Sequence, residues 1–549
     1  MAYTKPSAGR LDARQNTTNY EHPQETNLLD LHRAMEYDLA GKPQIRVAAK
    51  LSGPSIAGQV SAFGEPLAII PTAVIQLDGI YGATSDVIQT YNNGTGSSAG
   101  SNAQIFRVES GTSQGGYGVL RSKRFMRYRP GQGIVTRFTA AFTQGVASSL
   151  QFAGLANQEN RLAFGFHGDR FGIVRSTGGK ATIYLMDMTV APNATQTATI
   201  TLNGVDYTVT LGNTGEDVAI QTICNRVGGY GGWLVQQTDG AMMWLAPTLG
   251  PMNGTFSFTS TGNAQATFIL KQQGIAQTDY WTYQEDWNVD RMDGSNTITT
   301  NPSGMTLDPT KLNVYQIAMR WLGVGTISYA LEDQASGTLV YVHREHYTNQ
   351  HTTPHTANPS FKITYAAYNI TNTTNLTVTG ASMYGAVEGT IFQNELTRSW
   401  STSKSSLAQN VTHHMMTIKN AVVTNGLANA NNGNYILNTK EAIIKSLSVS
   451  VQSTDPSQVF LFFDPTSFSS THLYYNIPYC NEVHSVVTGT LDTTVDTPIY
   501  TGLNAINGTV NIDLSPYRIT IPPGSQVSIA VRSTNAISQC TVALVWSED

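Results

Sequence analysis

The chain has 549 residues, of which 13% are charged and 40% hydrophobic, with a net charge of −5 and 49 glycines. An ordinary soluble domain is about 25% charged, and Thr, Ser, Asn and Gly fill the shortfall here. That balance excludes a long coiled coil and a charged disordered tail, and it gives no global reason to bind nucleic acid specifically.

Length alone sets a prior of roughly three to four domains. Residues 1–64 read as an arm in which Asn27 caps a short helix over 28–38, with Leu28, Leu29, Leu31 and Met35 near helical spacing. From 65 to 192 the pattern is β. Ile134, Thr136, Phe138, Ala140 and Phe142 fall on one strand face. Leu162, Phe164 and Phe166 repeat the motif before His167-Gly-Asp-Arg170 turns the chain back as a hairpin. Residues 193–275 read as an inserted α+β module. Asn203-Gly204 is its hairpin turn, and Thr214 ahead of Glu216 and Asp217 opens a helix over 218–227. β-patterning resumes over 276–392 and is expected to complete the sandwich begun at 65. Residues 393–549 form a second β-domain, with strands over 442–452, 458–463, 517–521, 526–532 and 541–546. Short strands at regular spacing predict a jelly-roll-like sandwich. The expected fold is mainly β: a multidomain β-sandwich with a small inserted α+β module and an N-terminal arm.

Three cysteines (Cys224, Cys480 and Cys540) are too few for a disulfide framework or a zinc knuckle, though Cys480 and Cys540 could pair if the fold brings them together. No apolar run is long enough to span a bilayer, and the first residues carry no apolar secretory core. Synthesis in a reducing cytoplasm is expected.

Chemistry is sparse. Sandwich glycosidases need two acids flanking the bond, and the Glu-x-Asp-x-x-Glu of laminarinase-type glucanases has no counterpart. Glu285, Asp286, Asp290 and Asp293 cluster around Trp287 but lack the spacing of a calcium loop. His343, His346, His351 and His355 fall on a strand and in a Pro-containing loop, and read as packing and loop residues rather than a metal set. No catalytic, metal-binding or cofactor-binding residue is assigned. The one basic run, 121–129, would place Arg121, Lys123, Arg127 and Arg129 on one strand face with Phe125, as an assembly or anionic-ligand face. Tyr280, Trp281, Tyr283 and Trp287 are candidates for stacking on a glycan, and the same rings would serve equally as core.

Several stretches occur together: Ser-Gln-Gly-Gly-Tyr-Gly at 113–118, Arg-Tyr-Arg-Pro-Gly at 127–131, Phe-Thr-Gln-Gly-Val-Ala at 142–147, Trp-Leu-Gly-Val-Gly at 321–325, and Leu-Val-Tyr-Val-His at 339–343 with Asn349 behind it. In this order they resemble a family of virion structural proteins of tailed bacteriophages and large DNA viruses, marked by RYQPG-, WLGVG- and VHxxxxAN-type segments. Thr348 stands where that family has Ala. The resemblance covers roughly 65–390, with 193–275 as a common insertion. Ile521-Pro-Pro-Gly524 and the Trp546-Ser-Glu end are similar to terminal sandwich domains of such proteins.

The resemblance implies a structural component of the virion (capsid-associated, vertex, tail or fibre) made in the host cytoplasm. It implies contacts with other virion proteins such as capsid, portal or tail, and a homo-oligomer such as a trimer. It supplies no catalytic residue. The alternative is a carbohydrate-binding or host-adhesion module on the virion surface, taking a host glycan. A β-sandwich glycoside hydrolase ranks third, because its carboxylate motif is missing.

Overall fold

A computed structural model describes residues 35–37 and 43–45. From 71 onward it describes all but 85, 158, 227–228, 232, 239–240, 296, 321, 357, 390–395, 423–437, 471, 473, 478–479 and 549. In the N-terminal unit, Met35–Tyr37 is a short strand paired antiparallel with Pro43–Ile45. The expected helix over 28–38 is therefore replaced at its end by extended chain, where cross-strand pairing overrides a short helical spacing. The rest of that helix lies outside the described residues.

The first sandwich packs a seven-stranded sheet against a nine-stranded one. Period-two alternation drives it: in Ile134–Phe142 the residues Ile134, Thr136, Phe138, Ala140 and Phe142 are all buried, with partly exposed or exposed residues between them. Arg161–His167 pairs with Arg170–Thr177 in the expected hairpin, and Gly168 supplies the positive φ (64°) its turn needs. Aromatic rings fill the space between the sheets. Tyr315 stacks on Phe138 (centroids 5.6 Å) and meets Phe164 (4.8 Å). The same core extends from Ile75 to Val387 and takes in Trp287.

The inserted module has its own core. Asn203 and Gly204 both adopt positive φ (52° and 84°), the geometry of a tight hairpin, and join Gln196–Leu202 to Val205–Leu211. The helix runs Glu216–Cys224 and buries Ala219, Ile220 and Ile223. Its N-cap is Gly215 rather than Thr214, with no side-chain capping bond. The strand Ala181–Val190 lies inside the module's four-stranded sheet, between Ala241–Leu249 and Gln265–Gln272. The module thus begins near 181, not 193. An alternating apolar strand looks the same in sequence whichever sheet receives it.

The C-terminal unit sandwiches a five-stranded and a six-stranded sheet around a core that includes Leu447, Val449, Ile529 and Trp546. Taken in chain order, eight strands are Leu396–Leu407, His413–Asn420, Ala442–Ser453, Ser457–Phe463, Tyr500–Asn504, Thr509–Asp513, Gln526–Ser533 and Ile537–Glu548. One sheet orders them first, eighth, third, sixth, and the other second, seventh, fourth, fifth. That is jelly-roll topology. The expected strand over 517–521 shrinks to Thr520–Ile521, behind a 3₁₀ turn at Ser515–Tyr517. Pro516 at the start of that turn fixes its φ and removes a ladder donor.

Candidate functional site

The seven-stranded sheet turns one face to the core and the other outward. On the outward face a single cross-strand row runs Trp281, Val174, Ala163, Gly154, Thr364, Arg121 and Gln89. Two of the aromatic candidates, Trp281 and Tyr283, and the start of the basic run therefore lie on one side of the sheet, toward its opposite edges.

At the basic edge, Tyr117–Ser122 ends where Ser122 Oγ donates to the Arg124 carbonyl at 2.8 Å. The bend breaks the alternation expected through 129, so Arg121, Lys123, Arg127 and Arg129 do not form one face. Arg121 donates to Gln89 Oε1 (2.9 Å) and to the Tyr91 hydroxyl (2.8 Å). Lys123 pairs with Asp464 of the jelly roll at 3.2 Å and lies over the Phe463 ring. Glu441, only 4% exposed, accepts from the Phe125 backbone N–H at 2.9 Å and pairs with Arg124 at 3.5 Å. The middle of the run is thus a joint between the first sandwich and the jelly roll. Arg121 and Lys123 line a cavity of 360 Å³ behind that joint, while Arg127 and Arg129 lie outside its lining.

At the other edge, Thr278–Tyr283 is the outermost strand of its sheet. Alternation splits the four predicted aromatics. Trp281 and Tyr283 join His167 with ring planes within 12° of each other, and His167 Nδ1 lies 3.0 Å from the Tyr283 hydroxyl. Arg170 covers the Tyr283 ring at 3.4 Å and pairs with Glu285. Tyr280 is on the opposite face, 50% exposed, under Arg175. Trp287 is 2% exposed and packs edge-on against Phe164, so it is core and not a stacking surface. His167 and Arg170 complete the platform; their hairpin is legible in the sequence, but the pairing that sets it beside Thr278–Tyr283, 116 residues on from His167 to Tyr283, leaves no mark on sequence spacing.

Three of the motif segments, 127–131, 321–325 and the stretch behind 339–343, meet at one corner of the sandwich. The Tyr128 hydroxyl accepts from Leu322 N–H at 3.3 Å, Thr348 donates to the Val324 carbonyl at 2.9 Å, and His355 N–H donates to the Gly323 carbonyl at 2.9 Å. Leu322, Gly323 and Asn349 all take positive φ there. These residues act as turn-formers and cross-braces. Trp321 lies outside the described residues.

Burial pushes His343 and His355 down to about 4, which keeps both rings neutral near pH 7. Asp290 is buried, and its carboxylate accepts from the N–H groups of Met292 and Ser303, as a loop organiser does. Residues 96–100 spell Gly-x-Ser-x-Gly, but Ser98 opens a strand and donates to Glu109 at 2.7 Å instead of sitting on a strand-to-helix elbow. Cys480 and Cys540 are both buried free thiols, each pushed up to about 12 by burial, so the proposed pairing is not made. Cys480, Glu482 and Glu548 bring one ligand atom each within 4.8 Å of one another. Burial and the neighbouring Glu548 raise Glu482 to about 7, while Lys440 and Arg398 hold Glu548 in an ion network.

No family model matches the chain, and no curated protein does. Among solved structures, lectin II from Ulex europaeus aligns at 6% identity over 58% of this chain and 99% of its own, with a TM-score of 0.21. The botulinum neurotoxin serotype C1 binding domain aligns at 8% identity over 79% and 99%, with a TM-score of 0.23. The STIV MCP aligns at 10% identity over 84% and 96%, with a TM-score of 0.16. Scores this low place no weight on any one of them. Among the described residues no helix is long and apolar enough to cross a membrane.

Proposed function

We propose that the chain is a structural component of a virus particle, acting through assembly contacts with other virion proteins and without catalysis. The observation that carries this reading is the convergence of three of the family-like segments on one braced corner, through Tyr128, Leu322–Gly325 and Thr348. They hold turns and strands in register, and a particle subunit needs that rigidity at its contacts. The jelly-roll order of the C-terminal unit supports the reading, since jelly rolls build viral capsid and lectin domains. A topology shared by both does not choose between them; the ordered motifs favour the first. Immunogold labelling of purified particles tests the proposal. Gold on intact particles is expected, and label confined to soluble fractions contradicts it.

A second reading, host adhesion through a surface glycan, is favoured by the platform of His167, Trp281 and Tyr283. Near-parallel, at least partly exposed rings with a polar rim can stack against the apolar face of a sugar. A glycan array on the intact chain should then give binders that Trp281→Ala loses. An array without signal above background removes this reading and leaves the first standing.

A further inference from the structure

The 360 Å³ cavity behind the joint is walled by all three folded parts: the first sandwich, the inserted module and the jelly roll. Four cations line it (Arg121, Lys123, Lys362 and Lys419) against two acids, Glu159 and Asp464. Asp464 is taken by Lys123 at 3.2 Å. Glu441, outside the lining, pairs with Arg124 and accepts from the Phe125 N–H, and its charge acts on Lys362 from there.

Lys362 is left over. It is 6% exposed, its ammonium lies 4.5 Å from the centre of the Phe125 ring, and among the described residues no oxygen accepts from it. Lys419 is half-buried, with the Tyr474 ring at 5.1 Å and the Asp464 charge acting on it. Burial, reinforced by Arg121, lowers the Lys362 pKa well below the ordinary lysine range. An unpaired buried ammonium is costly unless something supplies the missing charge and acceptors. The cavity has the volume of a small-molecule site. Apolar Leu234 and Met243 line its module side, and Leu234, 44% exposed, marks where it reaches solvent.

We propose that this cavity binds a small molecule through a phosphate or sulfate group, held by Lys362, Lys419 and Arg121, with its less polar body against Leu234 and Met243. The N–H groups of Arg121 beyond those given to Gln89 and Tyr91, with two ammonium groups, match a tetrahedral oxyanion, which offers several acceptors at once. The ligand would bridge three folded parts and so stiffen the molecule. This proposal stands apart from the virion reading, since the cavity belongs to the single chain.

The test uses inorganic phosphate and inorganic sulfate on the full chain, followed by calorimetry and thermal melting at constant ionic strength, with chloride as the control. Saturable binding and a rise in melting temperature beyond that in chloride are expected. Phosphate and sulfate compared separately, then a sugar phosphate against a sugar sulfate, identify which oxyanion the site prefers. Lys362→Met should weaken the better anion at least about tenfold, yet melt no lower than the natural chain without ligand, because it removes an unpaired buried charge. Lys419→Met serves as the second variant if Lys362→Met fails to fold. An oxyanion effect equal to that of chloride, or undiminished binding in the folded variant, overturns the proposal.

Discussion

Trp287 meets the rings of Phe164 and Phe171 inside the sandwich, whereas Trp281 lies in the outward row beside His167. Sequence placed both in one aromatic cluster, because composition does not record which side of a strand or turn a ring takes. Trp287→Ala should therefore cost about 3–5 kcal/mol, as truncation of a buried aromatic does. Trp281→Ala should cost under about 1 kcal/mol. Denaturant midpoints of the two variants check the difference, and equal losses would contradict the assignment. Lys362 was equally hidden: in sequence it is the one charged residue of the strand Lys362–Asn369. Its significance comes from the module and jelly roll that close over it, and no local pattern encodes such a meeting.

At the scale of elements, alternation predicted strands well wherever one face is buried, as in Ile134–Phe142, and turn chemistry predicted the Asn203-Gly204 hairpin. Assignment of strands to sheets was less legible, since Ala181–Val190 carries a pattern either sheet could use. The basic run was legible as a feature but not as a face, because the bend after Ser122 depends on a local hydrogen bond. Its joint gives a prediction. Glu441→Ala leaves the Phe125 N–H and Arg124 without their acceptor, at a cost of about 1–3 kcal/mol. Differential scanning calorimetry should then split one cooperative transition toward two, as the sandwiches uncouple; an unchanged single transition would contradict the joint.

The jelly roll also holds a buried histidine pair, His414 and His472, with ring centroids 4.5 Å apart. Burial, and then His472, lowers His414 to about 3; burial, and then Lys404, lowers His472 to about 4. Both folded values lie below the ordinary histidine value of 6.5, so the unfolded chain takes up protons first on acidification. Their contribution to stability is complete above about pH 6.5 and is lost as pH falls through that value toward the folded pKa values. Melting temperature should drop over this window, and His472→Gln should flatten the drop. A profile as steep in the variant as in the natural chain would show that the pair is not responsible.

For the whole molecule, few charges and many Thr, Ser and Asn describe surfaces whose desolvation against neighbours costs less than that of a charged surface. Mainly β architecture and a jelly-roll-like C-terminal domain were legible from strand spacing. The bracing of the motif segments was not, because it lies in backbone and hydroxyl bonds between residues far apart in the chain. The most direct measurement is the copy number of this protein, by quantitative mass spectrometry, across gradient fractions of purified virus particles. A virion component should hold a constant ratio to the major capsid protein through the particle peak. A ratio that changes across the peak, or protein confined to the top of the gradient, would contradict a structural role in the particle.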